Sequence, residues 1–261
     1  MWQWFRNYQR KKILATPFPS AWEKQVQKNL QYYQHLTLDE KKRLQELIQI
    51  FIAEKTWSGC NGLILTDEIR VTIAAHACLL ILALPNDSYR NVESIYVYPT
   101  TVFSPESKVG FFEVVTNPVR GPMPILGEAH HHGGPVILVW DEVKKETRHP
   151  EYGHNVVYHE FAHKLDMLDD SADGTPPLAS REEYQRWTEV CSKEYLELCE
   201  QVEQGEELFF DSYAATDEAE FFAVATEHFF CEPKDMKLYH PELYQVLQSF
   251  YRQDPATRSS T

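Results

Sequence analysis

Basic residues, glycine and cysteine are all scarce in this chain of 261 residues. Lys and Arg number 25 against 39 Asp and Glu, which gives a formal net charge of -14 at pH 7. So acidic a chain is not expected to hold nucleic acid through a basic surface. The 10 Gly and 15 Pro exclude collagen-like and low-complexity classes. The 5 Cys are odd in number and no two have the CxxC spacing of a zinc knuckle, so we expect a reducing compartment, the cytoplasm, and no disulfide scaffold.

A long hydrophobic run is also missing. The most apolar segment, residues 71–84, contains His76 and is too short to cross a hydrocarbon core of about 30 Å. The first residues carry aromatic and basic side chains but no apolar signal-peptide core. We therefore expect no membrane span, and residues 71–84 are predicted to form a buried helix.

Core-forming residues are plentiful, since 43% of the chain is hydrophobic and 13% is aromatic. Disorder is therefore excluded as the main state. Residues 20–84 have helical periodicity, including a capping box made by Thr37 and Glu40. Strands are predicted at 92–98 and at 135–140. Helices combined with few strands indicate an α+β fold.

The two ends of the chain are predicted to be less ordered than the middle. Residues 1–19 are expected to form a flexible basic arm, because up to residue 24 the sequence has five basic side chains and one acidic one. Such an arm can contact an acidic partner or an anionic membrane surface, although a solvated tail is the simpler interpretation. Residues 256–261 are expected to fray.

Residues 159–163 read His-Glu-Phe-Ala-His, the HExxH pattern. On a helix, His159 and His163 lie one turn apart on one face, so their imidazoles can share one zinc ion. Glu160 points beside the metal and can accept a proton from an activated water molecule. The surrounding stretch has no Gly or Pro and is apolar, and ionisable residues in a buried helix are costly unless they are paired or bound to metal.

The third ligand must come from outside the motif, because a catalytic zinc ion has three protein ligands. One class of HExxH enzymes has it at the position of Asp169, but the glycine of that class is replaced here by Asp166. The alternatives are Glu220 and Glu227 on a predicted apolar helix over 217–231. Glu220 also fits the third position of a capping box, so spacing alone favours it over Glu227 only slightly.

Residues 159–166 (HEFAHKLD) and 213–224 (YAATDEAEFFAV) resemble the Mlc titration factor A family of bacterial zinc peptidases. The match extends to GPVILVW at 134–140 and to QDP at 253–255, and it covers most of the chain from the early helices onward. The family is gluzincin-like, with a catalytic core similar to that of anthrax lethal factor. The resemblance therefore implies a zincin-like fold, with an N-terminal helical region and a small sheet next to the HExxH helix.

The resemblance also implies the roles of individual residues. His159, His163 and Glu220 would hold one Zn²⁺ per chain, Glu160 would be the general base, and Tyr213 would match the family's transition-state tyrosine. Family members cleave small peptides, and the founding member binds the glucose repressor Mlc. The partners expected here are a peptide or protein substrate and, in the alternative, a transcription repressor.

Three further features have open interpretations. The triplet His130–His132 departs from the family, and a polar loop is favoured over a second metal site because consecutive strand residues point to opposite faces. Asp166 can orient a ligand imidazole or serve as a cap or surface residue. The strand at 136–140 can pair with extended substrate backbone or simply belong to the core.

Together these observations predict a single zinc metallopeptidase domain over residues 20–255. Its helical lobe would cover about 20–90 and its catalytic part about 91–255. The predicted function is hydrolysis of peptide bonds by metal-activated water, with an aminopeptidase-like activity as one form of it. The alternative is a regulatory protein that sequesters a transcription repressor, with peptidase activity secondary.

Overall fold

The computed structural model describes residues 2–100 and 134–258, and helices dominate both ranges. The ten α-helices of these ranges are α1 (Trp2–Leu14), α2 (Ser20–Asn29), α3 (Leu38–Glu54), α4 (Asp67–Leu80), α5 (Trp140–Arg148), α6 (Val156–Asp166), α7 (Arg181–Gln204), α8 (Glu218–Cys231), α9 (Pro233–Tyr239) and α10 (Pro241–Tyr251).

Three parallel strands form a small sheet in the order β1 (Thr56–Gly59), β2 (Ser94–Tyr98) and β3 (Val136–Val139). Strand β3 is the last of the described strands in this order and is buried along its whole length. The predicted strands at 92–98 and 135–140 are therefore present but shorter. Strand β1 was not predicted, because its four residues are half exposed and give no clear alternation. The mixture of helices and a small sheet agrees with the α+β prediction.

The local start signals of two helices behave as the sequence predicts. Thr37 and Glu40 form a complete capping box at the start of α3. The Thr66 side chain accepts a hydrogen bond from the Ile69 N–H and caps α4. Helix α4 is buried over nearly all of its length, but it ends at Leu80, whereas the apolar run continues to residue 84. Turns follow Leu80. Hydrophobicity alone does not determine where a helix ends.

Residues 2–19 and 253–258 make ordered contacts that the sequence does not indicate. The expected flexible arm over 1–19 contains helix α1, and Arg10 donates two hydrogen bonds of 2.6 and 2.7 Å to Glu54 on α3. Near the other end, the Gln253 amide donates to the Leu79 carbonyl at 2.8 Å, and Arg258 donates to Gln253. Tertiary hydrogen bonds of this kind have no signature in a local sequence pattern.

Helix α6, which carries the HExxH motif, lies at the centre of the main hydrophobic cluster. Its Phe161 side chain is fully buried and contacts the ring of Phe51 on α3, with centroids 5.5 Å apart, and that of Tyr89, at 4.8 Å. Helix α6 also packs along α8 and against α4 and β3. Among the helices described, none is long and apolar enough to cross a membrane.

Candidate metal centre

The start of α6 is fixed by two side chains that satisfy its free N–H groups. The Asn155 side-chain Oδ1 atom accepts hydrogen bonds from the N–H groups of Val157 and Tyr158, both at 3.1 Å. A carboxylate oxygen of Glu146 accepts from the Val156 N–H at 2.7 Å. Burial raises the pKa of Glu146 to about 8. The motif therefore begins on a well-capped helix.

Three side-chain atoms converge from α6 and α8. Glu220 Oε2 lies 3.0 Å from His159 Nε2 and 3.4 Å from His163 Nε2, and the two Nε2 atoms are 3.2 Å apart. Ligand atoms at 2.0–2.1 Å from one tetrahedral ion are about 3.3–3.4 Å from each other. The observed triangle thus has the size that one small cation requires. Within residues 2–100 and 134–258, this is the one group of three acidic, His or Cys side chains close enough to hold a metal ion.

Glu227 fixes the orientation of the His159 ring. Its Oε1 atom lies 2.8 Å from His159 Nδ1, and its Oε2 atom accepts from the Asn155 N–H at 2.6 Å. An ionised carboxylate can only accept, so Nδ1 is the donor in this contact and Nε2 is turned toward Glu220. This is the carboxylate–histidine arrangement that orients metal-binding imidazoles in proteins.

The electrostatics of the centre favour positive charge. Burial opposes a charge on His159, but its contacts with Glu220 and Glu227 raise its pKa to about 10. The same burial would raise the pKa of Glu220, but the neighbouring His159 and His163 hold it well below its usual value. One carboxylate and two imidazoles converge, and the Glu227 carboxylate lies behind the His159 ring, so the centre suits a cation. By geometry and donor type, the residues fit a bound metal ion.

The structure separates the three candidates for the third ligand. Glu220 is in the converging group, whereas Glu227 contacts the far side of His159. Asp169 lies in the short 3-10 helix Met167–Asp169, is exposed, and accepts from the Ser171 N–H at 3.2 Å. Its carboxylate is not a member of the group.

Tyr213 and Glu160 flank the same centre. Tyr213 lies in the 3-10 helix Ser212–Ala215, and its N–H donates to Asp211 at 2.8 Å. Its ring centroid is 6.2 Å from that of His159. Burial raises the pKa of Tyr213, and the negative charge and hydrogen bond of Glu220 raise it further, with a smaller effect from Glu160. The hydroxyl therefore stays protonated and can donate. Glu160 is on α6 and is partly exposed.

A buried lysine, which sequence reasoning did not single out, joins α6 to the sheet. The Lys164 ammonium donates to the Gly134 carbonyl at 3.0 Å, two residues before β3. The Asn91 amide, which precedes β2, donates to the Lys164 carbonyl at 2.8 Å. Burial lowers the pKa of Lys164, while the charge of Glu160 opposes that shift. A lysine inside an apolar helix was the available signal, since such residues are rarely buried without a partner.

Asp166 and His228 are not members of the group of three ligand atoms. Asp166 is buried and accepts from the Gly174 N–H at 2.9 Å, so it anchors the loop after α6. His228 is buried and lies 2.9 Å from Glu232. The triplet His130–His132 falls outside the described residues.

A capped, buried helix that bears HExxH, with a carboxylate supplied by a second helix, forms a group that could hold a metal ion, as in metallopeptidases. Comparison with known families agrees with that class. The chain belongs to the family described as glucose-regulated metallo-peptidase M90, whose model matches residues 3–252.

Individual relatives are similar over most of their length. An uncharacterized protein of Synechocystis, slr2042, is 36% identical over 254 residues, which cover 95% of this chain and 90% of that protein. A protein named Mlc titration factor A from Serratia proteamaculans is 33% identical, and the match covers 85% of this chain and 84% of that protein. A protein of the same name from Yersinia pestis is 26% identical, and the match covers 98% of this chain and 91% of that protein. The resemblance to the Mlc titration factor A family is thus confirmed.

Proposed function

We propose that the chain is a zinc-dependent peptidase that binds one zinc ion through His159, His163 and Glu220. The observation that carries the proposal is the triangle of ligand atoms at 3.0, 3.2 and 3.4 Å between α6 and α8. Two imidazole nitrogens and one carboxylate are a common ligand set of catalytic zinc. Membership of a metallopeptidase family supports the same conclusion.

Zinc, when bound, would polarise a peptide carbonyl and lower the pKa of a water molecule to about 7. In this proposal Glu160 accepts a proton from water and passes it to the leaving amine. Its place next to His159 on α6 and its partial exposure support that role. The Tyr213 hydroxyl, protonated beside Glu220, donates to the oxyanion that develops on the substrate carbonyl.

The ligand assignment is tested by metal content and hydrolysis measured on the same samples. Glu220→Ala removes one converging oxygen, so zinc content and cleavage of a chromogenic peptide should fall together. Asp169→Ala is the matched control, because Asp169 is exposed and outside the group. Loss of metal in the Asp169 variant alone would overturn the gluzincin-type assignment.

A regulatory function is the second candidate, because relatives that are 26–33% identical carry the name Mlc titration factor A. In that function the chain would sequester a transcription repressor, and hydrolysis would be secondary. A pull-down of repressor with the Glu160→Gln variant distinguishes the two, since binding should survive when hydrolysis is lost. Retention of hydrolysis without any repressor binding would reject the second candidate.

We also propose that residues 20–255 form one domain and that the protein works in the cytoplasm. A single large cluster of buried side chains, which includes residues of both the N-terminal helices and α8, supports one domain. The five cysteines are all free, which is usual in a reducing compartment. Aminopeptidase-like cleavage is also part of the proposal and is tested with substrates that have free or blocked amino ends.

A further inference from the structure

Helix α1 presents a row of aromatic and basic side chains on one side. Trp4, Tyr8 and Lys12 are spaced four residues apart and therefore share a helix face. The Trp4 and Tyr8 rings stack with centroids 6.0 Å apart, and the Lys12 ammonium lies 4.8 Å from the Tyr8 centroid. Together with the adjacent Phe5 and Lys11, these three residues form the aromatic–basic face of α1.

The aromatic–basic face is open to water. Trp4 is 72% exposed, Phe5 is 52% exposed and Tyr8 is 46% exposed. Lys11 and Lys12 are exposed as well. A single exposed aromatic side chain is ordinary, but three of them within two turns form a patch, and such patches mark contact sites.

The opposite side of α1 is held against the rest of the molecule. Arg10 binds Glu54 on α3 through two hydrogen bonds of 2.6 and 2.7 Å. The Gln49 amide of α3 also donates to the Thr16 carbonyl, just after α1, at 2.8 Å. With these contacts in place, α1 cannot rotate to bury the aromatic–basic face, which stays directed outward.

We propose that the aromatic–basic face binds the interfacial region of an anionic phospholipid bilayer. Tryptophan and tyrosine prefer the headgroup level of membranes, and lysine is attracted to anionic headgroups while its stem covers apolar surface. Helix α1 has four basic residues and no acidic one, although the whole chain has a net charge of -14. This asymmetry turns α1, and not the acidic remainder, toward a negative surface.

A bilayer fits this face better than an acidic protein does. The face is the convex side of one helix, and a fluid headgroup layer can enclose a convex surface without a matching groove. Lysine is also depleted in the cores of protein interfaces, whereas two lysines lie within this patch. Since α1 has 13 residues and is too short to span, the association is peripheral.

The test is sedimentation of the full chain with two kinds of vesicle. Vesicles of phosphatidylcholine with phosphatidylglycerol should carry the protein down, and phosphatidylcholine alone should carry down little. Near 1 M salt, where the screening length is about 3 Å, binding should be largely lost. Lys11→Gln with Lys12→Gln should weaken binding roughly 10- to 30-fold, at about fivefold per charge. Trp4→Ala with Tyr8→Ala should abolish it.

Matched controls lie on other helices. Lys144→Gln with Lys145→Gln removes an adjacent pair from α5, of which Lys145 is exposed and Lys144 partly exposed, and Tyr184→Ala removes a 53% exposed aromatic ring from α7. Both control proteins should bind vesicles like the wild type. Absence of binding to anionic vesicles overturns the proposal, and so does unchanged binding by the Trp4 and Tyr8 variant. Binding to polyglutamate through α1, without binding to vesicles, would assign the face to an acidic protein instead and reject the lipid partner.

Discussion

The Nδ1 atom of His159 faces a carboxylate that is 1% exposed, and this contact decides how the imidazole can act. Glu227 accepts a hydrogen bond from Nδ1 at 2.8 Å and a second one from the Asn155 N–H at 2.6 Å. The carboxylate is thereby held on both of its oxygens. Because its position is fixed, it fixes the ring, and the Nε2 atom is directed to the centre.

Replacing Glu227 by Gln should therefore weaken metal binding without removing a ligand. A Gln amide can preserve one hydrogen bond but loses the negative charge, and changes to such supporting groups lower metal affinity by about 10- to 100-fold. Zinc affinity measured by competition with a chelator checks this. Glu218→Gln is the control on the same helix, because Glu218 is exposed. Equal affinity in the Glu227 variant and the wild type would deny Glu227 its orienting role.

Tyr213 is close enough to the centre to take part in chemistry, yet it is not in the group of three ligand atoms. Tyr213→Phe should lower kcat by roughly 10²- to 10³-fold, as for one lost oxyanion donor, and leave KM near its original value. Zinc content should not change, since the ring is retained. Steady-state kinetics with metal analysis on the same sample is the measurement. A wild-type kcat at full zinc occupancy would make Tyr213 a packing residue.

Among the elements, the loop between α6 and α7 links the metal helix to the start of α8. The carboxylate of Asp166, at the end of α6, accepts a hydrogen bond from the Gly174 N–H at 2.9 Å. Gly174 has φ of +74°, and a Cβ at this position would collide with the Glu218 carbonyl oxygen. The backbone of this loop thus touches the first turn of α8, two residues before Glu220.

Gly174→Ala should therefore cost more stability than a left-handed backbone angle alone explains. Gly205→Ala is a matched control, because Gly205 has φ of +67° and an added Cβ would have no atom within 4 Å. The control should lose about 1–2 kcal/mol from backbone strain, and Gly174→Ala should lose more because the backbone of α8 must shift. Urea unfolding of both variants gives the comparison. Equal losses would show that the close approach to α8 has no energetic weight.

The two histidines of the centre could be predicted from sequence because helix geometry fixes their relation. Residues four apart on a helix share a face, and the Asn155 cap places the motif inside α6. The choice between Glu220 and Glu227 could not be made from spacing, because both lie on α8, two turns apart. It depends on how far α8 is shifted along its own axis relative to α6, which long-range packing sets. The resemblance favoured Glu220, and the geometry brings that residue to the two histidines.

At the scale of the whole molecule, local signals predicted the elements better than their contacts. The capping box of Thr37 and Glu40 and the buried helix α4 follow from short sequence patterns. The docking of α1 through Arg10 and Glu54 does not, because the two residues are 44 positions apart. Strand β1 was missed since four half-exposed residues carry too little periodicity. The prediction of a single domain over 20–255 stays a prediction.

In the proposed function, one metal ion and Glu160 together hydrolyse peptide bonds. The most direct test measures zinc per chain and peptide hydrolysis on one preparation of Glu160→Gln, beside the wild type before and after chelation. We predict one zinc per chain in both proteins, and hydrolysis lowered by about 10²- to 10⁴-fold in the variant, because Gln keeps the shape but cannot accept the proton. Chelation should stop the wild type, and added zinc should restore it. Full hydrolysis by zinc-loaded Glu160→Gln, or by metal-free wild type, would contradict the account.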